Sequence, residues 1–238
     1  MAPECASALS HLWPKPIRVA TRGTPLAKVQ AGLAIGALKR ARPSVECELV
    51  IVHTKGDLDT DRPISALAER GVFTKSLQTA VFEGRADLAV HSYKDVPTPP
   101  VPGLTTAAVL ARGDPREALV AGPLQSLCDF AAGARIGTSS PRRSAQVLLQ
   151  RKDLNVVPLR GSVGTRVDAL KSGQIQGTVM AVAGLQRAGL TSAISAVLGV
   201  HHFLPAPAQG ALMIEARSDR PDVLELVAPL DDPLTRSA

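Results

Sequence analysis

Residues 17–53 read IRVATRGTPLAKVQAGLAIGALKRARPSVECELVIVH, and this stretch decides the fold class. Ile17 to Arg22 is short and apolar enough for a strand. Thr24-Pro25 then supplies a helix cap followed by proline at the first helical position, where its missing N–H costs nothing. Leu26, Val29, Leu33 and Ala37 recur at helical spacing and predict the apolar face of that helix. Cys47 to His53 is again a compact apolar run rich in β-branched residues, which predicts a strand. Strand, helix and strand in immediate succession are the unit of a parallel sheet.

The same alternation extends outward. Val72, Phe73, Leu77, Ala80 and Val81 predict a second helix, stopped by Gly84, and Ala86 to Val90 a buried strand. Thr98 to Gly103 holds too many prolines for helix or central strand and reads as a rigid surface connection before a strand at Leu104 to Leu110. Beyond a turn-rich region at Gly113 to Arg116, the pattern predicts a strand at Arg135 to Gly137, a helix from Pro141, a strand at Val156 to Leu159, a helix from Val163 and a strand at Thr178 to Val182. The expectation is an α/β protein with mostly parallel sheets, one per half, and helices on both faces. Residues 1–16 read as an N-terminal extension without the basic start and apolar run of a secretory signal. Lys55 to Gly71, mixed in charge and without periodicity, reads as a mobile loop.

Composition narrows the function. Of 238 residues, 45% are hydrophobic and 20% charged, which places the chain outside the disordered class. The longest apolar runs, such as Val179 to Ala183, fall far short of the ~20 residues of a membrane span. Six aromatics (Trp13, Phe73, Phe82, Tyr93, Phe130 and Phe203) are too few for base-stacking platforms, so nucleic acid is not the expected partner. The net charge of +6 favours an anionic ligand. Cys5, Cys47 and Cys128 form no CxxC pair or zinc-ligand pattern, and their number and spacing suit a reducing cytosol. No metal site is expected.

Three segments carry chemistry. Gly137-Thr138-Ser139-Ser140-Pro141-Arg142-Arg143 lies where a strand meets a helix. There, unpaired N–H groups, the hydroxyls of Thr138, Ser139 and Ser140, and the guanidiniums of Arg142 and Arg143 suit a carboxylate or phosphate; the plainer reading is a Ser140 helix cap with solvated arginines. Arg160-Gly161-Ser162-Val163-Gly164-Thr165-Arg166 repeats the situation with Arg160 and Arg166, and matches neither a GxxxxGK[ST] loop nor a GxGxxG fingerprint. Arg22 ends the first strand and Arg187 follows another, so four strand ends carry arginine. His91-Ser92-Tyr93-Lys94-Asp95-Val96-Pro97 ends a buried strand. His91 reads as a satisfied core histidine, and Asp95 either as a surface ion pair with Lys94 or as a functional carboxylate kept ionised beside it. Asp95, an acid among cations, is suited to hold N–H donors or stabilise a developing cation.

In their order and spacing these segments, with Ala20-Thr21-Arg22, Gly71-Val72-Phe73-Thr74-Lys75, Ala183-Gly184-Leu185 and Gln209-Gly210-Ala211, resemble the porphobilinogen deaminase (hydroxymethylbilane synthase) family from about Ile17 to Ala238. The resemblance implies head-to-tail condensation of four porphobilinogen molecules with loss of ammonia and a final hydrolysis. It further implies Asp95 as the catalytic acid, Arg22, Arg142, Arg143, Arg160, Arg166 and Arg187 as carboxylate ligands, and Phe73, Ser92, Lys94 and Gln209 as neighbouring site residues. The implied fold is two periplasmic-binding-protein-like domains, 17–111 with 211–230 and 116–205, with the active-site cleft between them. A third domain would begin at 231–238. The implied cofactor is dipyrromethane, joined by a thioether to a cysteine of that third domain; Cys5, Cys47 and Cys128 lie outside the attachment motif. A cytosolic monomer acting on a small molecule, with no nucleic-acid or membrane partner, follows from the same resemblance. Ala208 stands where the family usually has glycine. The alternative is a two-domain binding module that takes a pyrrolic or polycarboxylate ligand without turnover.

Overall fold

The computed structural model describes residues 15–54, 71 and 73–237. The expected N-terminal extension therefore lies outside the described residues up to residue 14, as does the expected mobile loop at 55–70. The described residues divide into two compact units, one of 15–54, 71, 73–112 and 211–237 and the other of 113–210.

The first unit is built on β1 (Ile17–Arg22), β2 (Cys47–Val52), β3 (Leu88–Ser92), β4 (Leu104–Val109) and β10 (Leu212–Arg217) in the order β2-β1-β3-β10-β4. β2, β1 and β3 pair in parallel, whereas β10 runs against both β3 and β4. Side chains alternate between the two faces. Ile17, Val19, Leu88, Val90 and Ile214 pack beneath α1 (Pro25–Ala41) and α6 (Pro221–Val227), and Ala20, Val52 and Ala89 pack against α2 (Lys75–Phe82).

Local chemistry sets the helix ends. Thr24 Oγ1 accepts the N–H of Ala27 at 3.3 Å and Pro25 follows, as expected. The buried face of α1 is not the predicted one, however: it is Gln30, Ala31, Ala34 and Leu38, while Val29 and Leu33 are exposed. Alanines let the helix axis approach the sheet closely, and the larger Val29 and Leu33 are left on the flank. α2 begins at Lys75 rather than Val72, because the Gly71 carbonyl accepts the N–H groups of Thr74 and Lys75 at 2.9 and 3.0 Å and forms a turn that holds Phe73 ahead of the helix.

The second unit repeats the plan with β5 (Glu117–Val120), β6 (Arg135–Gly137), β7 (Asn155–Val157), β8 (Gly177–Ala181) and β9 (Ala196–Leu198), in the order β7-β6-β8-β5-β9. β6 pairs in parallel with β7 and β8, and β5 runs against β8 and β9. α3 (Pro141–Gln150), α4 (Val163–Lys171) and α5 (Val182–Arg187) cover its faces through Val147, Val167 and Leu185. A Cβ on Gly177 would stand 2.6 Å from the Phe130 ring, so the strand start must be glycine for that ring to close the core.

Both sheets are therefore mixed. The expected parallel strands are there, and in each sheet one strand, β10 or β5, is reversed between two others. Periodicity does not reveal β5, β9 or β10: β5 and β9 are four and three residues long, and β10 opens on the unbroken apolar run Leu212-Met213-Ile214. Residues 231–237, expected to open a further domain, lie along β4. The Asp231 carboxylate accepts the Val109 N–H at 2.7 Å, the Asp232 N–H donates to the Val109 carbonyl at 2.8 Å, and α7 (Pro233–Arg236) returns Arg236 to Asp231. This covers groups that an edge strand would otherwise leave open. Among the described residues no helix is long and apolar enough to cross a membrane.

In the second unit the backbone is tightest around Gly210. Its carbonyl accepts from the Gly113 N–H at 3.1 Å and from Arg187 Nη2 at 2.6 Å, its φ is +92°, and a Cβ there would lie 2.5 Å from the Gly113 carbonyl oxygen. Two residues earlier Ala208 holds φ at 55°, the left-handed region that an L-residue enters at a cost of about 1–2 kcal/mol. Ala208→Gly is expected to stabilise the protein by about 0.5–1 kcal/mol after glycine's extra chain entropy is offset, whereas Gly210→Ala loses about 2 kcal/mol or more through strain and contact. Thermal or urea unfolding of the two variants checks this, and like-signed shifts would refute it.

Candidate functional site

Parallel strands end at one edge of a sheet, and ligands of α/β proteins bind at that edge. In the first unit β1 delivers Arg22 there, and its guanidinium carbon sits 4.2 Å from the centroid of the Phe73 ring. This cation–π contact ties the turn before α2 to the end of β1. β3, next to β1, delivers Ser92, whose Oγ accepts from Gln30 Nε2 at 2.9 Å and donates to Gln30 Oε1 at 3.1 Å.

The chain then makes a single 3₁₀ turn, Tyr93–Asp95, anchored by the Tyr93 N–H on the Ala211 carbonyl at 3.1 Å. Below this turn the expected core histidine is buried and partnered through Nε2. His91 Nε2 lies 3.1 Å from Glu215 Oε2, and Gln78 Nε2 donates to Glu215 Oε1 at 3.1 Å, with all three side chains buried. One buried network thus joins β3, β10 and α2. Above it Lys94 and Asp95 are exposed, and among the described residues no hydrogen bond or ion pair engages the Asp95 carboxylate. The alternative of a Lys94–Asp95 ion pair is not what the structure shows. The aspartates at the other end of this sheet are used otherwise: Asp87 takes three hydrogen bonds from Arg18, and Asp219 and Asp222 pair with Arg217 and Arg220.

In the second unit the edge is formed by the turns after β6 and β7. The three hydroxyls expected to line an anion pocket are engaged with backbone. Thr138 Oγ1 accepts the Ser140 N–H, Ser139 Oγ donates to the Leu159 carbonyl at 3.0 Å and accepts the Leu159 N–H at 3.2 Å, and Ser140 caps α3 on the Arg143 N–H. Ser139 thereby stitches the turn bearing Arg142 and Arg143 to the turn bearing Arg160. Ser162 caps α4 on the Thr165 N–H, and Arg166 Nε donates back to the Gly161 carbonyl at 3.0 Å, so Arg160 and Arg166 belong to one closed turn.

Arg142 and Arg143 converge on a residue that sequence reading passed over. Glu117, the first residue of reversed β5, faces Ala181 at the end of β8 and has no exposed side-chain surface. Arg143 donates to it through Nε at 3.0 Å and Nη2 at 2.7 Å, and Arg142 through Nη2 at 2.6 Å, while Arg142 Nη1 donates to the Leu204 carbonyl. Burial pushes the Glu117 carboxyl up, but the charges and hydrogen bonds of Arg143 and Arg142 outweigh it and hold the group below the ordinary carboxylate range. The signal in the sequence was an acid opening an apolar run, Glu117-Ala118-Leu119-Val120, because a buried charge requires a partner.

Arg187 and Gln209 are placed elsewhere. Arg187 Nη2 is bound to the Gly210 carbonyl, with burial lowering the guanidinium's pKa. Gln209 is fully buried and donates to the Pro115 carbonyl at 2.8 Å. Both hold backbone around Gly210. Among the described residues no cluster of His, Cys, Asp or Glu is placed to hold a metal ion. The arrangement offers a carboxylate unengaged among the described residues, with an aromatic-backed cation, on one sheet edge, and an arginine cluster suited to carboxylates on the other.

Comparison with known proteins agrees with this chemistry. Residues 17–225 match the family described as porphobilinogen deaminase, dipyromethane cofactor binding domain. A porphobilinogen deaminase of Roseiflexus sp. (strain RS-1) is 44% identical over 92% of this chain and 73% of its own length, and that of Xanthomonas oryzae pv. oryzae (strain KACC10331 / KXO85) 45% identical over 93% and 73%. A probable porphobilinogen deaminase of Methanopyrus kandleri is 46% identical over 92% and 74%. Among solved structures, a periplasmic substrate-binding protein of an ABC transporter from Coxiella burnetii has a TM-score of 0.53 at 15% identity over 93% of this chain and 94% of its own, and a putative methionine-binding lipoprotein from Bacillus subtilis 0.53 at 13% over 94% and 93%. At those identities the likeness is one of fold. With a family match across nearly the whole chain and relatives of above two-fifths identity carrying one name, the chain belongs to the porphobilinogen deaminase family.

Proposed function

We propose that the chain is a hydroxymethylbilane synthase, a transferase of tetrapyrrole biosynthesis that joins four porphobilinogen molecules head to tail, releases one ammonia from each and adds water at the end. The observation that carries this reading is the exposed Asp95 carboxylate, held on a fixed turn above the His91–Glu215–Gln78 network and without a partner among the described residues. An acid so placed can accept a pyrrole N–H. As the aminomethyl C–N bond breaks, its electron pair leaves with the nitrogen and positive charge spreads over the pyrrole ring; a fixed carboxylate beside the ring N–H stabilises that charge without reorganising. Lys94 and Arg22 stand at the same sheet edge and suit the acetate and propionate arms.

The family carries a dipyrromethane cofactor, and the residues present fit such a group: it bears carboxylates, for which Arg142, Arg160 and Arg166 supply donors, and pyrrole N–H groups, for which Asp95 supplies an acceptor. When bound, it provides the pyrrole on which the product chain is built. Arg142 is the more accessible member of its pair, with 29% of its side chain exposed against 9% for Arg143. Arg143, with its Nε and Nη2 on Glu117, acts chiefly by fixing that pair. Arg187 and Gln209 act by holding the backbone around Gly210. We place the protein in the cytosol as a monomer.

Asp95→Asn is expected to lower kcat by about 10²–10³, the usual loss when one preorganised charge is removed from a transition state, while leaving the unfolding midpoint unchanged because the side chain is exposed. Near-normal ammonia release would refute the role. Arg160→Gln should instead raise KM for porphobilinogen about tenfold or more, in line with the about 1.5–3 kcal/mol of a charged hydrogen bond. An unaltered KM would remove Arg160 from the carboxylate set.

A further inference from the structure

The arginine pair of the second unit has an internal counter-ion. Two guanidinium charges face the single carboxylate of Glu117, so the pair keeps one net positive charge, beside those of Arg160 and Arg166 on the turn that Ser139 ties to it. Glu117 cannot withdraw: it lies in the ladder between β8 and β9, opposite Ala181 and Leu198, with no exposed side-chain surface. Arg143 spends the Nε–Nη2 fork, its best carboxylate-binding geometry, on this internal acid. Only Arg142, anchored by Glu117 at one Nη and by the Leu204 carbonyl at the other, keeps substantial exposure.

We propose that Glu117 is the specificity-determining residue of this pair: by fixing the pair's net charge at one, it matches Arg142 to a single carboxylate arm and disfavours a divalent inorganic anion. The inference rests on the reading that the cluster takes carboxylates of a pyrrolic ligand. A monovalent carboxylate neutralises the remaining charge, whereas a dianion would leave a partly desolvated negative charge without compensation. Removing the Glu117 charge doubles the positive charge of the pair and reverses its preference. Glu117 reaches the ligand only through the arginines, so its effect is on which anion binds.

The test uses the full chain and thermal unfolding, titrated with sodium sulfate or sodium acetate in the millimolar range at constant ionic strength set by chloride. Glu117→Gln is expected to be stabilised by sulfate at concentrations about tenfold or more below those needed for the wild type, as an added unit charge at short range implies, with a much smaller gain for acetate. Glu117→Asp, which keeps the charge, should resemble the wild type. The double variant Glu117→Gln with Arg143→Met restores one net positive charge and should lose the sulfate gain. A wild-type sulfate response in Glu117→Gln, or a gain that persists in the double variant, would overturn the proposal.

Should Glu117→Gln not fold alone, folding on addition of sulfate supports the proposal, and a chain that stays unfolded at every sulfate concentration overturns it. Porphobilinogen is titrated in parallel. If it shifts none of the chains while the sulfate contrast holds, the charge-setting role stands and the substrate reading fails.

Discussion

Parallel strands cannot be joined by tight hairpins, so each must be followed by a crossover that leaves from the same edge of the sheet. That constraint places Arg22 after β1, the Tyr93–Asp95 turn after β3, Ser139 to Arg143 after β6 and Leu159 to Arg166 after β7. Nearly all the chemistry of the chain is gathered at two edges by this rule alone. The reversed strand in each sheet then does what no parallel strand can: it starts at that edge. β10 begins opposite Ser92 and brings Glu215 beneath the Asp95 turn, and β5 begins with Glu117 beneath the arginines.

The two edges solve different electrostatic problems. In the first unit the buried acid Glu215 is satisfied by His91 and Gln78, so that Asp95 above it stays unengaged among the described residues. In the second, the buried acid is satisfied by the arginines themselves, and what remains for a ligand is a reduced positive charge. Elsewhere on the first unit, aspartates are consumed by arginine pairs, as with Asp87 and Arg18 or Asp231 and Arg236, and such pairs are worth little individually at a surface.

Much of this was legible in the sequence. The strand-helix alternation, the caps at Thr24 and Ser140 and the strand ends bearing Arg22, Asp95, Arg142 and Arg160 all follow from local patterns. What was not legible depended on non-local pairing. β5 and β10 are apolar runs whose orientation is set by neighbours far away in sequence, and with them went Glu117. The inward face of α1 was misread because the sheet selects alanines for close approach over the larger Val29 and Leu33. The backbone bonds of the Thr138, Ser139 and Ser140 hydroxyls were not legible, because the same residue types serve turns, caps and ligands alike. Gln209 and Arg187 carried the family pattern, but their partners are backbone carbonyls that no spacing rule reveals.

The central claim is that these strand-end residues act on porphobilinogen. The most direct measurement is ammonia release by the purified chain incubated with porphobilinogen, taken together with the porphyrin absorbance that develops once the linear product cyclises and oxidises. Four ammonia molecules for each tetrapyrrole formed is the expected result. Absence of both ammonia and porphyrin, from a chain shown to be folded, would contradict it.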